Sequence, residues 1–235
     1  GDPVAAAIAS YLLPRTRQAA STGDWSDVFP EMARDTTVGE GAYYRNQIEK
    51  LIQLGAMSKD SQGYFHPNQK MTVTEFARAL SLLMNVKTAS FAGYPDGELN
   101  RETMGAILSD AYRARFSGKP RFMTDYNGTA VAPGDPGYDP NLDSDARGAM
   151  YYPLVAFERL TDTSDIAPEL FSKVKNAYEL GLIRSEKGIA RGRMMNGSEF
   201  EPKLAVTRAK ASKALYFMWV LGQNVQEENH VSLIG

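Results

Sequence analysis

Thr72–Met84, reading Thr-Val-Thr-Glu-Phe-Ala-Arg-Ala-Leu-Ser-Leu-Leu-Met, sets Phe76, Ala79, Leu80, Leu83 and Met84 at helical intervals behind its opening threonine. That spacing gathers the apolar side chains on one stripe of an α-helix. Thr72 is of the residue type that caps a helix start by accepting a backbone N–H. Glu75, three positions on, predicts a capping box with Thr72.

The same offsets recur twice. After Asn100 come Met104, Ile107, Leu108, Ala111 and Tyr112; after Thr207 come Ala211, Ala214, Leu215, Met218 and Trp219. An earlier helix repeats as well: Tyr44, Ile48, Leu51 and Ile52 lead to Gly55, and Leu170, Val174, Ala177 and Tyr178 lead to Gly181. Both glycines read as helix stops. Phe65 and Pro67 in one copy, and Phe200 and Pro202 in the other, stand at equal distances before their capping threonines. The unit is therefore helix, turn-rich loop, helix. Such units cannot bury their faces alone, which implies a shared core.

Copy one spans about 24–86 and copy three about 160–223. Copy two, about 87–118, is incomplete, because Met84 to Gly93 is too short for an amphipathic helix with its connections. Its open face needs another cover. Two candidates stand side by side: the apolar run Val4 to Leu13, and Ala149 to Leu160, where Pro153 begins or breaks a helix. The predicted class is all-α, one module over 1–235 with a long irregular insertion at about 117–160. From Ser117 to Gly148 Gly, Pro, Asp, Asn and Tyr dominate, as in Gly134 to Pro140, and favour turns. Phe122, Tyr126 and Tyr138 suggest an ordered excursion.

With 43% hydrophobic residues in 235, the chain can bury a substantial core. Lys plus Arg (26) nearly balance Asp plus Glu (28), so no broad basic surface exists for nucleic acid. The lack of cysteine removes disulfides, thiolate metal sites and cysteine nucleophiles, and is compatible with export. No apolar run approaches the roughly 20 residues of a transmembrane helix. The two histidines, His66 and His230, are too few for a metal cluster or a Ser-His-Asp triad, so the chain reads as a non-enzyme without cofactor or metal. Asp139, Asn141, Asp143 and Asp145 alternate like the opening of an EF-hand loop. The pattern fails where Ser144 replaces glycine and Met150 replaces glutamate.

Together these motifs resemble S-layer homology domains, wall-anchoring modules that commonly occur in threes in surface proteins of Gram-positive bacteria. In copy one the resemblance runs from Trp25-Ser-Asp27-Val through Gly55 and Gly63-Tyr-Phe65-His-Pro67 to Met71-Thr-Val-Thr-Glu75. In copy three it runs from Thr161-Asp162-Thr through Gly181-Leu-Ile183 and Phe200-Glu-Pro202 to Val206-Thr-Arg-Ala-Lys210. Copy two carries Gly93-Tyr-Pro-Asp-Gly97, followed at once by Leu99-Asn-Arg-Glu-Thr103. The resemblance implies a pseudo-threefold bundle with grooves between neighbouring copies. Those grooves would bind a secondary cell wall polysaccharide carrying carboxylate groups, typically a pyruvate ketal, placing the secreted parent protein at the wall or S-layer. The family's signature arginine maps onto Arg101 and Arg208, and onto Val73 in copy one, which cannot bind an anion.

A carboxylate suits that place, because a helix start offers unpaired N–H groups and the positive end of its dipole. An arginine there adds a bidentate fork. Candidate ligand-binding residues are Arg101 and Arg208, the caps Asn100 and Thr207, the acids Asp27 and Asp162, and Gly93, Asp96 and Gly97 of the turn. Each has a plainer reading: a surface ion pair worth little for the arginines, turn or cap duty for the acids, and positive φ for the glycines. Trp25 stacks on a sugar or anchors the first helix; Trp219 lies on the core stripe. The rival function is a structural module, or one docking a surface-protein partner, that keeps the fold without binding carbohydrate.

Overall fold

The computed structural model describes residues 1–23, 25, 28–116, 156–185, 189–190, 193–194 and 199–223. Its helices are α1 (Pro3–Thr22), α2 (Gly39–Tyr43), α3 (Arg45–Gln53), α4 (Val73–Met84), α5 (Arg101–Arg115), α6 (Phe171–Glu179) and α7 (Arg208–Gln223). The only sheet among the described residues pairs β1 (Ile189–Ala190) with β2 (Arg193–Met194), antiparallel. The class is all-α, as the hydrophobic spacing predicts.

The predicted caps form. Thr72 Oγ1 accepts from Glu75 N–H at 3.1 Å, Asn100 Oδ1 from Thr103 N–H at 3.0 Å, and Thr207 Oγ1 from Lys210 N–H at 3.2 Å. Each such cap stabilises its helix by about 1 kcal/mol. The reciprocal half of the capping box is replaced: the Glu75 carboxylate turns to the Arg208 guanidinium. At the other end, α3 and α6 stop identically. Gly55 (φ 75°) and Gly181 (φ 77°) donate to Ile52 and Tyr178, while Ala56 and Leu182 donate to Leu51 and Ala177. This is a Schellman closure, and its left-handed residue is why glycine stands there.

α7 packs on α4 and α3, and α5 packs on α6 and α4. The apolar stripes meet in one core: Phe76, Leu80, Ile107, Leu108, Leu215, Ile48, Leu51 and Val174 are all fully buried. Of the two expected covers for the open face beside α4 and α5, Val4 to Leu13 does not supply one, and residues 149–155 of the other lie outside the described residues. A 3-10 turn at Thr88–Phe91 packs on both helices and buries Phe91. By contrast, Val4, Ile8, Tyr11 and Leu13 of α1 are more than half exposed, and α1 buries only Ala19. Phe157 faces α6, its ring 5.7 Å from that of Tyr178. A short turn with one large aromatic fills a space that sequence spacing reserved for a helix. The insertion over 117–155, with Asp139, Asn141, Asp143 and Asp145, lies outside the described residues.

Candidate functional site: the arginine joints at the helix starts

The three capped helices begin from one small ring of backbone bonds. Met71 N–H donates to Val206 C=O (2.9 Å), Val206 to Leu99 (2.9 Å) and Leu99 back to Met71 (2.8 Å), closing a cycle. All three side chains are buried, and each stands immediately before a cap residue. The ring thus delivers the starts of α4, α5 and α7 to one place.

From that place each helix start engages a loop belonging to another segment. Arg208 and Ala209 amides of α7 donate to Gln69 and Pro67 carbonyls (2.8 and 2.9 Å), in the α3–α4 connection. Arg101 and Glu102 amides of α5 donate to Leu204 and Pro202 (3.0 and 2.9 Å), in the α6–α7 connection. Val73 and Thr74 amides of α4 go to Gly97 C=O (2.9 Å) and the Asp96 carboxylate (3.1 Å), in the turn before α5. Where the turn has no Phe-x-Pro loop, a side-chain carboxylate stands in for the proline carbonyl.

This corrects one expectation. With the caps taking the third amide, and Thr72, Asn100 and Thr207 carbonyls the fourth, no amide in these first turns is unpaired. The physical reason is burial: a helix end inside a protein must find partners for its orphan N–H groups, and here the neighbouring loop supplies them.

Both arginines lie at these joints, 8% (Arg101) and 7% (Arg208) exposed. Arg208 Nε donates to Phe65 C=O at 2.9 Å, Nη2 to Ser58 C=O at 3.1 Å, and Nη1 pairs with Glu75. Its guanidinium stacks over the Phe65 ring, 4.6 Å from the centroid. Arg101 repeats the arrangement: Nε to Phe200 C=O at 2.8 Å, Nη2 to Arg184 C=O, and 4.9 Å over the Phe200 ring. Burial lowers the Arg208 pKa and the nearby Asp35 carboxylate opposes that shift; guanidinium stays charged throughout the physiological range. Each arginine clasps the loop carbonyls that bracket a fully buried phenylalanine.

The loops are held a second time from behind. Asp162 accepts Phe200 and Glu201 amides, one on each oxygen, both at 2.7 Å. Asp35 does the same for Phe65 and His66, both at 2.8 Å. His66 (φ 61°) and Glu201 (φ 56°) are non-glycine residues in the left-handed region, a conformation that persists only when its surroundings enforce it. The two carboxylates supply that enforcement. Asp162 therefore does turn duty. Its counterpart is Asp35, which sequence reasoning missed by pairing Asp162 with Asp27; Asp27 lies outside the described residues. The signal was present, since Asp35-Thr36 repeats Asp162-Thr163 at nearly equal distance before its helix.

In the turn, only Gly97 of the two named glycines has positive φ (148°), and Gly93 is exposed with nothing near a notional Cβ. Asp96 is exposed, and hydrogen bonds from Thr74, with a further one from the Gly97 amide, hold its carboxyl below the usual carboxylate range. Thr207 Oγ1 lies 3.2 Å from Glu40, whose carboxylate also sits 3.9 Å from Lys210. At α5, buried Glu102 accepts Ala167 N–H (2.9 Å) and pairs with Lys203. Trp25 is half-buried, 6.2 Å from the Phe29 ring. Trp219 packs on the core, with Lys50 4.9 Å from its centroid.

Residues 36–77 match the S-layer homology domain family. That segment holds α2, α3, the Phe65 loop and the first turn of α4. Domains of this family anchor proteins to the cell wall and occur in cell-surface and S-layer proteins. A search of curated proteins gives no match to the chain. No helix among the described residues is long and apolar enough to cross a membrane, and no group of metal-ligating side chains gathers among them.

Proposed function

We propose that this chain is a non-enzymatic module, built of three S-layer homology copies about a pseudo-threefold axis, that fastens a secreted protein non-covalently to the wall of a Gram-positive bacterium. The observation that carries the reading is the recurrence of one joint: the Arg208 clasp on the matched segment is repeated by Arg101 on the Phe200 loop. The ligand is a wall polysaccharide bearing carboxylates, a pyruvate ketal among them, bound in the crevices beside the joints. Arg101 and Arg208 supply the positive charge, with Asn100, Thr207 and Asp162 framing the helix starts. Asp27, outside the described residues, joins the ligand set through the resemblance alone, and Gly93, Asp96 and Gly97 bring backbone close to sugar at the turn. Because the first-turn amides are engaged, carboxylate capture rests on the guanidinium edges; in the Arg208 crevice the ligand competes with Glu75.

The same engagement favours a second reading, in which the joints are purely structural and the module docks another surface protein. Sedimentation with purified walls separates the two. The anchoring reading expects the chain to co-sediment and to stay in solution once the polysaccharide has been stripped chemically. Retention on stripped walls, or no retention on intact ones, overturns it.

A further inference from the structure

α1 stands off the body for most of its length. It buries only Ala19, 1% exposed. Arg15 and Thr16 are half-buried, and every residue from Pro3 to Pro14 is exposed. Ala19, Thr16, Leu12, Ile8 and Val4 follow one another at intervals of three or four. The face that seats Ala19 on the body therefore runs on, apolar and uncovered, for about three further turns.

Such a segment does not hold itself. A lone helix of about a dozen residues is marginal in water, and Pro14 removes an intrahelical donor and crowds the turn before it. From Pro3 to Pro14 no residue is charged, and the polar side-chain groups are the hydroxyls of Tyr11 and of Ser10, which donates to Ala7 C=O at 3.0 Å. A helix apolar all round is one that a neighbour covers. A lipid surface is the poorer fit, because a helix lying in a membrane interface carries charge along one whole face. Here charge stands at the two ends. Asp2 caps the start, its carboxylate accepting Val4 N–H at 2.9 Å, and Arg15 and Arg17 follow Pro14. Arg15 lies over the Tyr11 ring, 3.7 Å from the centroid, which keeps its charge beside the stripe.

We propose that this face pairs, antiparallel, with α1 of a second copy of the chain. The charge pattern of α1, negative then neutral then positive, is complementary to itself read backwards. A two-fold axis between Ile8 and Tyr11 sets Ile8 of each copy against Tyr11 of the other and brings Asp2 to the level of Arg15 and Arg17. A parallel pair would set Asp2 on Asp2 and Arg15 on Arg15, which like-charge repulsion disfavours. The inference goes beyond the anchoring reading and stands without it. On a wall, such a pair would hold by two modules at once.

The test is sedimentation equilibrium of the whole chain at low salt, with thermal melting as the check on folding. Only part of a 20-residue helix takes part, against roughly 20–30 residues a side in a standard interface. The parent is therefore expected to pair weakly, with a dissociation constant of about 10–100 μM. Ile8→Asp is expected to weaken pairing about a hundredfold, because it sets a charge in the contact. Asp2→Arg on one chain, and Arg15→Glu with Arg17→Glu on another, should each weaken it about tenfold. An equimolar mixture of those two chains should recover the parent's affinity, because each end then meets its opposite. All should melt near the parent, since α1 adds one buried alanine to the body. A parent that stays monomeric at about 1 mM, an Ile8→Asp variant that pairs as the parent does, or charge variants that fail to pair when mixed overturns the proposal. So does a monomeric parent that vesicles of anionic phospholipid capture through Ile8, which would give the face to a lipid surface.

Discussion

Arg208 and Arg101 close the same kind of joint on different neighbours, yet their surroundings differ in charge. The Arg208 joint includes Glu75, three residues past the cap of α4. The position three past the cap of α7, the next helix round the ring, is Lys210, which turns to Glu40. At the α4 start there is no arginine at all, and Asp96 fills the place of a loop carbonyl. One backbone solution thus tolerates three side-chain solutions. The backbone ring and the loop carbonyls are the invariant part of the geometry, and the charge at each joint is what varies.

The comparison breaks most sharply at Arg208. Arg208→Ala removes two carbonyl bonds and the Phe65 stack, and leaves Glu75 without its cation. With the Arg208 side chain buried and that of Glu75 33% exposed, breaking the pair costs about 3 kcal/mol, the lower end for a buried pair, read by denaturant unfolding. Adding Glu75→Ala should recover part of the loss, because the two residues share one interaction. Additive losses, with the double variant costing the sum of Arg208→Ala and Glu75→Ala, would show that Glu75 contributes nothing to the joint through Arg208.

A smaller effect is expected behind the loops. Asp35→Ala and Asp162→Ala each delete two charge-assisted bonds and release a left-handed residue, at about 1.5–3 kcal/mol apiece. Matching losses would sharpen the equivalence of the two loops. A loss at Asp162 alone would break it.

The smallest belongs to Asp96. Its folded pKa is lowered, chiefly by hydrogen bonds from Thr74, so its contribution is present above the ordinary carboxylate pKa of about 3.9. It disappears as pH falls through the lower folded value. Acid titration of stability should therefore be shallower in Asp96→Asn than in the parent below about pH 4, and indistinguishable slopes would remove Asp96 from the account.

Much of this was legible in the sequence. The caps Thr72, Asn100 and Thr207, the stops Gly55 and Gly181 and the apolar stripes follow from local rules of helix geometry, and all of them form. The Phe-x-Pro repeats were visible as a spacing. Their meaning was not, because which loop meets which helix is set by the Met71–Val206–Leu99 ring, a long-range pairing without local signature. The same gap hid the partners of the first-turn amides, whereas Asp35 had a readable signal in the Asp35-Thr36 and Asp162-Thr163 repeat. The gap also hid Phe91, since a single buried aromatic in a short turn has no periodicity to read.

The central claim is that each arginine positions the loop of one particular neighbour, and hydrogen–deuterium exchange in Arg208→Lys tests it most directly. Lysine keeps the charge and loses the fork. Exchange should accelerate over residues 58–66 and stay unchanged over 199–204. Acceleration of both loops together, or of neither, would contradict the account.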